Sequence, residues 1–280
     1  MPLTINTNVY SLNAQRNLTN TESQLASPLQ RLSSGLRINS AADDAAGLAI
    51  SQRITASVNG LNVATRNAND AISLVQVADG TASKISDNLQ RMRELAVQAA
   101  NGTYTSSDRS NIQTEFNALQ QEITRVAQNT KFNNLALVNS AAGSFSFQVG
   151  DKTSADNQIA VTTTDLRASA TGMKVDSSAI KVTGSTASNA KAAMDAIDKA
   201  LDTIATARAG FGAAINRTQA VVSNLQVAVE NQSAANGRIV DADFAAETAN
   251  MTRLQILQQA GTAILAQANS MPQQALKLLQ

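Results

Sequence analysis

Between Ala45 and Asn101 the chain has no proline, and its apolar residues return every seven positions. One row is Ile54, Leu61, Ala68, Val75, Ala82, Leu89 and Ala96. The row three residues on is Ser57, Ala64, Ala71, Ala78, Ile85, Met92 and Ala99. Only Ser57 among them is polar, so the two rows form one stripe along a helix, the seam of a coiled coil. A helix of this span is about 85 Å long. It cannot bury its stripe alone, so the rest of the chain, or other copies of it, must supply partners.

A second rod begins at Ala190. Its rows are Ile197, Ile204, Phe211, Thr218, Leu225 and Met194, Leu201, Arg208, Ile215, Val222, Val229. A shorter helix, about Ser107 to Gln128, carries Ile112, Phe116, Leu119, Ile123 and Val126, with Ser106, Ser107 or Asp108 as its cap. The long helix is expected to end at Asn101-Gly102, a C-cap signal. The short loop that follows implies an antiparallel pair. From Lys131 to Asp165 the period falls to two. Phe145, Phe147, Val149 and then Ile159, Val161, Thr163 alternate with polar residues around Gly150-Asp151, which reads as a β-hairpin with one covered face. Residues 168–189 are rich in Ser, Ala, Thr and Gly, and read as a short surface excursion.

Both ends are amphipathic. The first arm, about Asn6 to Ser33, carries Ile5, Val9, Leu12, Leu18, Leu25, Leu29 and Leu32. Asn236-Gly237 marks a break, and the last helix, about Phe244 to Met271, carries Met251, Leu254, Leu257, Gly261, Ile264, Ala268 and Met271. Such an arm is marginal by itself in water, so the arms are expected to be disordered in the monomer and to fold on assembly. Pro28 interrupts the first arm. A proline there lacks the N–H that would reach Gln24 O, so the helix either ends before it or continues with a kink. Leu29 and Leu32 continue the stripe and favour continuation.

Composition narrows the function. A net charge of +1 with 15% charged residues does not make the basic face of a nucleic-acid binder. The absence of Cys and His removes thiol chemistry, the commonest general base and the commonest metal ligand. Neither GxxxxGK[ST] nor GxGxxG occurs. The tight carboxylate pairs, Asp43/Asp44 and Asp241/Asp243, read as helix N-terminal charge, with Ser40 as a candidate cap. Arg91, Arg93 and Glu94 read as a solvated helix face. The start, Met1-Pro2-Leu3-Thr4, lacks the basic and apolar regions of a cleaved signal, and no stretch is apolar for about 18 residues. The expectation is a mainly α protein: a long antiparallel coiled-coil-like helical rod with terminal helical arms and a small β-hairpin region. It is expected to be no enzyme, to need no cofactor or metal, to bind no nucleic acid and to insert in no membrane. Low-charge helices with Ala-rich seams invite packing on several sides, and a head-to-tail contact that does not close gives a filament.

Several runs resemble bacterial flagellins: NTN (Asn6–Asn8), SLNAQR (Ser11–Arg16), LQRLSSGLRINS (Leu29–Ser40), DDAAGL (Asp43–Leu48), LQRMRELAVQ (Leu89–Gln98), ILQQAG (Ile256–Gly261) and LAQAN (Leu265–Asn269). In this order they span both ends of the chain. The resemblance implies terminal arms at 1–40 and 238–280, called D0, a rod with its hairpin at 41–167 and 190–237, called D1, and a variable excursion at 168–189. It implies a self-assembling helical homopolymer, the flagellar filament used for motility, with a hook–filament junction protein or another secreted coiled-coil filament protein as the alternative. It also implies a secreted, extracellular protein exported by the flagellar type III route without a cleaved signal, an export chaperone on the C-terminal arm, and cap and hook-junction partners. Gln90, Arg91, Leu95 and Glu115 match positions contacted by the vertebrate Toll-like flagellin receptor, which reverses the bland reading of Arg91. Gln30 to Ser51 matches the peptide sensed by a plant flagellin receptor. Supercoiling of such filaments makes Pro28 a candidate for setting the waveform.

Overall fold

The computed structural model describes residues 7–169 and 171–278, with side chains through Met271, so Ile5 of the first arm lies outside the described residues. The helices are α1 (Val9–Ser34), α2 (Ala45–Ala99), α3 (Ser106–Asn129), α4 (Ser188–Val240) and α5 (Phe244–Leu278). Two small antiparallel hairpins lie between α3 and α4: β1 (Lys131–Phe132) with β2 (Leu135–Ala136), and β3 (Ser144–Gln148) with β4 (Gln158–Thr162). The chain divides into two compact units, residues 59–229 and residues 1–58 with 230–280.

In the 59–229 unit, every position of the two α2 rows from Leu61 to Ala99 is buried. Alanine at Ala64, Ala68, Ala71, Ala78, Ala82, Ala96 and Ala99 lets neighbouring elements approach closely. The bulk comes from Leu74, Ile85, Leu89 and Met92, met by Phe116 and Ile123 of α3 and by Ile197, Ile204 and Phe211 of α4. α3 runs antiparallel to α2, since Arg109 reaches Ala99 O, Arg91 meets Glu115, and Thr81 meets Thr130. α4 is also antiparallel to α2, with Arg93 on Asp198 (2.6 Å) and Arg208 on Asp79 (2.8 Å). Of the two α4 rows, the Ile197–Leu225 row is buried throughout, while the row through Met194 lies at the margin.

The cap of α3 is Thr105, one residue before the expected candidates. Its hydroxyl accepts from the Asp108 N–H (3.3 Å), and the Asp108 carboxylate accepts from the Thr105 N–H (2.9 Å), a reciprocal capping box. The β1–β2 turn holds Asn133 and Asn134 at φ 46° and 65°, the left-handed region that asparagine tolerates in tight hairpins. The β3–β4 hairpin pairs Phe145 with Val161 and Phe147 with Ile159, as the alternation requires. The strands stop one residue short of Val149 and Thr163.

The segment 168–189 differs from a surface excursion. It has little regular structure of its own, yet Ala168, Met173, Val175, Ile180 and Val182 are buried in the core. One face of α3 holds its backbone. Gln113 Oε1 accepts from the Val182 N–H (2.6 Å), and Gln120 Nε2 donates to Val175 O (2.7 Å). The buried Arg109 donates to Ala99 O (2.8 Å), Asn101 O (3.2 Å), Gly184 O (3.2 Å) and Ser185 O (3.3 Å). Irregular backbone can be buried only when its polar groups find partners, and these side chains provide them.

In the other unit, α1 and α5 are antiparallel. Asn8 Nδ2 donates to Ala268 O (2.7 Å), Leu18 lies over Gly261, and Arg31 pairs with Glu247 (2.8 Å). Beyond them the backbone closes through Arg37 N–H to Val240 O (2.6 Å) and Ala242 N–H to Gly35 O (2.9 Å). α1 continues through Pro28 and ends at Gly35, whose φ of 73° is left-handed and whose N–H bonds Arg31 O. Pro28 is the one buried residue of α1, so apolar burial offsets the missing hydrogen bond. α4 passes Asn236-Gly237 without a break and stops at Val240, because a glycine with helical backbone costs only about 1 kcal/mol.

Candidate functional site

The arms carry more apolar surface than their mutual seam uses. The inner row of α1 is Ser11, Ala14, Leu18, Thr21, Leu25, Pro28 and Leu32, all half-buried except the buried Pro28. On α5 it is Met251, Leu254, Gln258, Gly261, Leu265 and Ala268, with Leu254 and Ala268 buried and the others half-buried. The remaining stripe residues point away. Val9 is 56% exposed, Leu12 53%, Leu257 51% and Ile264 60%, and Leu29 and Met271 are exposed with them. The expected stripes therefore split. Leu25, Leu32, Met251 and Leu254 meet the partner arm, while Leu257, Ile264 and Met271, seven residues apart, form an outer row of α5, and Val9, Leu12 and Leu29 are exposed at separate positions around α1. One partner helix covers only part of a broad apolar stripe. Tyr10, Phe244 and Ile256 add to the exposed apolar surface and escape a strict seven-residue reading.

The Gln90–Glu115 patch lies on the adjoining faces of α2 and α3. Arg91 Nη1 donates to Glu94 (2.8 Å) and its Nε to Glu115 Oε1 (2.9 Å). These hydrogen bonds, Glu94 first, push the Arg91 guanidinium pKa up. Gln90, Arg91 and Glu115 are exposed. Leu95 is not: it is 3% exposed and belongs to the core beneath the patch. The structure thus brings three of the four residues to one surface and places the fourth behind them. Arg93 turns away to Asp198 on α4.

The paired carboxylates serve local backbone. Asp43 Oδ2 accepts from the Ser40 N–H (2.9 Å), the Ser40 hydroxyl (3.0 Å) and the Asn39 N–H (3.1 Å). Those bonds, the Ser40 N–H foremost, hold its pKa below the usual 3.8. Ser40 therefore closes a turn, and Asp44 caps α2 by accepting from the Gly47 N–H (2.9 Å). A β-carbon at Gly47 would collide with the Asp44 carboxylate and with Ile38 Cδ1 (2.7 Å), so that cap needs glycine. Asp243 caps α5 through the Ala245 and Ala246 N–H groups (3.0 and 3.1 Å). Among the described residues, no helix is long and apolar enough to cross a membrane.

The sequence that builds these arms and rods is similar to known proteins. The bacterial flagellin N-terminal helical region matches residues 5–142, and the bacterial flagellin C-terminal helical region matches residues 194–279. A flagellin of Halalkalibacterium halodurans is 42% identical over 275 residues, covering 98% of this chain and 99% of its own length. The flagellar filament 33 kDa core protein of Treponema phagedenis is 39% identical over 288 residues, covering 98% and 99%. A solved Vibrio parahaemolyticus structure described as hook-associated covers 71% of this chain and 100% of its own at TM-score 0.60 and 14% identity, a likeness of fold alone. With both terminal regions matched, and a relative this similar along nearly its whole length, the chain belongs to the bacterial flagellin family.

Proposed function

We propose that the outer apolar surfaces of α1 and α5 join this chain to its neighbours as the structural subunit of a flagellar filament. The observation that carries the reading is the apolar surface each arm leaves outside its seam, a regular row on α5 and separate residues on α1. The inner row is consumed by the seam between α1 and α5, and Val9, Leu12, Leu29, Leu257, Ile264 and Met271 are left for another copy. An apolar surface repeated along both arms marks an interaction site. In this reading 1–40 with 238–280 form the inner arms, 41–167 with 190–237 the rod, and 168–189 the variable segment. The filament is extracellular, the chain leaves by the flagellar type III route without a cleaved signal, an export chaperone holds the C-terminal arm, and a cap places each subunit beyond the hook-junction proteins. Monomers present Gln90, Arg91 and Glu115 to the vertebrate Toll-like receptor, with Leu95 supporting them from within, and Gln30–Ser51 to the plant receptor.

Removal of 244–280 tests the assembly role. Sedimentation and electron microscopy of seeded solutions should show long filaments from the full chain and none from the truncated one, whose 59–229 core still melts cooperatively. Filaments from the truncated chain would overturn the role of α5. A hook–filament junction protein would add to seeds but stop after few copies, so elongation length separates that alternative.

A further inference from the structure

We propose that Asn101 is a site of spontaneous isoaspartate formation, singled out by the fold from three chemically equivalent candidates. The sequence holds three Asn-Gly pairs: Asn59-Gly60, Asn101-Gly102 and Asn236-Gly237. Glycine after asparagine leaves the following backbone nitrogen unhindered, so all three are equally reactive in an unfolded chain. The fold separates them. Asn59-Gly60 lies inside α2 and Asn236-Gly237 inside α4. There the glycine N–H is held in the helix ladder, and the helical backbone keeps it away from the preceding side chain.

Asn101-Gly102 lies in the exposed turn between α2 and α3. Among the described residues the Gly102 N–H donates to no acceptor. Asn101 Oδ1 accepts from the Thr103 N–H (3.2 Å). That Asx-turn bond folds the carboxamide back over the chain and polarises it, which gives the nitrogen a positioned electrophile. The reaction needs only water. The Gly102 N–H gives its proton to hydroxide, and the nitrogen bonds to Asn101 Cγ. The Cγ–Nδ2 bond breaks, and Nδ2 takes a proton from solvent and leaves as ammonia. Water then opens the five-membered imide at either carbonyl. Opening at Cγ gives aspartate. Opening at the main-chain carbonyl gives isoaspartate, with the former Asn101 carbonyl as the free carboxylate. That oxygen already accepts from Arg109 Nη2 (3.2 Å). The guanidinium polarises this carbonyl toward attack and pairs with the carboxylate formed, so isoaspartate is favoured. The product falls on one of the four carbonyls through which Arg109 anchors 184–185.

The test is peptide mapping of the full chain after warming in mildly alkaline buffer, native and in denaturant, with isoaspartate counted by enzymatic methylation. In the native protein Asn101 should convert about tenfold faster than Asn59 and Asn236, with a larger isoaspartate share than in denaturant. In denaturant the three sites should convert alike. Gly102→Ala should slow Asn101 without affecting melting, since a β-carbon there meets no atom within 4 Å. Equal native rates at the three sites, or an isoaspartate share no larger than in denaturant, would overturn the proposal.

Discussion

Single side chains act here mostly on nearby backbone. Asp43 is the clearest case, because its carboxylate gathers the hydrogen bonds of the turn before α2. Its folded pKa is depressed, so the stability it adds is present above 3.8 and is lost as pH falls through the lower folded value. Asp43→Asn should therefore melt below the parent protein at neutral pH, and the gap should close on acidification; a gap that widens in acid would contradict this assignment. Pro28, the one buried residue of α1, works differently, by removing a donor in the inner row. We expect Pro28→Ala to restore the bond to Gln24 O and to change the filament waveform. Imaging both filaments side by side checks this, and an identical repeat would end the case for Pro28.

Elements are joined by polar side chains as much as by apolar ones. Arg109 ties the end of α2 to residues 184–185, and its loss takes the side-chain donor from Ala99 O, Gly184 O and Ser185 O and leaves Asn101 O only the longer Tyr104 N–H bond (3.4 Å). Arg109→Leu should cost about 3 kcal/mol in urea unfolding and open 168–189 to protease, because hydrogen bonds to a buried charge are worth more than neutral ones. The arms offer a paired comparison. Leu254→Ala, in the buried inner row, should destabilise the α1–α5 pair by about 2–4 kcal/mol. Ile264→Asp, in the outer row, should leave monomer melting unchanged and stop elongation in sedimentation assays. If Ile264→Asp filaments grow normally, the outer row is not the joint.

For the whole molecule, one chain is proposed to serve two roles that exclude each other. A filament whose rods pack side by side would cover the Gln90, Arg91 and Glu115 surface, so monomers should activate the Toll-like receptor and intact filaments should not. Arg91→Ala should weaken that activation while melting stays the same, since its partners Glu94 and Glu115 are surface residues. A reporter-cell assay on monomer, filament and variant decides it: equal signals from all three would remove Arg91 from the receptor reading.

The residue pattern alone determined the helices and the buried face of the rods. From Leu61 to Ala99 each residue of the two rows is buried where the seven-residue period puts it, because side-chain direction along a helix is a local property. The β3–β4 pairing was legible for the same reason. Caps were partly legible: Thr105 with Asp108 is a short-range signal, while Asp44 displaced Ser40 through the close approach that Gly47 permits. Only the tertiary structure decided which apolar row of each arm faces inward. Val9 and Ser11 lie two residues apart on one helix, and the partner at Asn269 selects Ser11. It also decided that Leu95 is core and not surface, and that Ala168, Met173, Val175, Ile180 and Val182 of the 168–189 segment are buried. Few of that segment's residues are apolar, and what buries them is a set of bonds from Arg109, Gln113 and Gln120, distant in sequence and invisible to any local period.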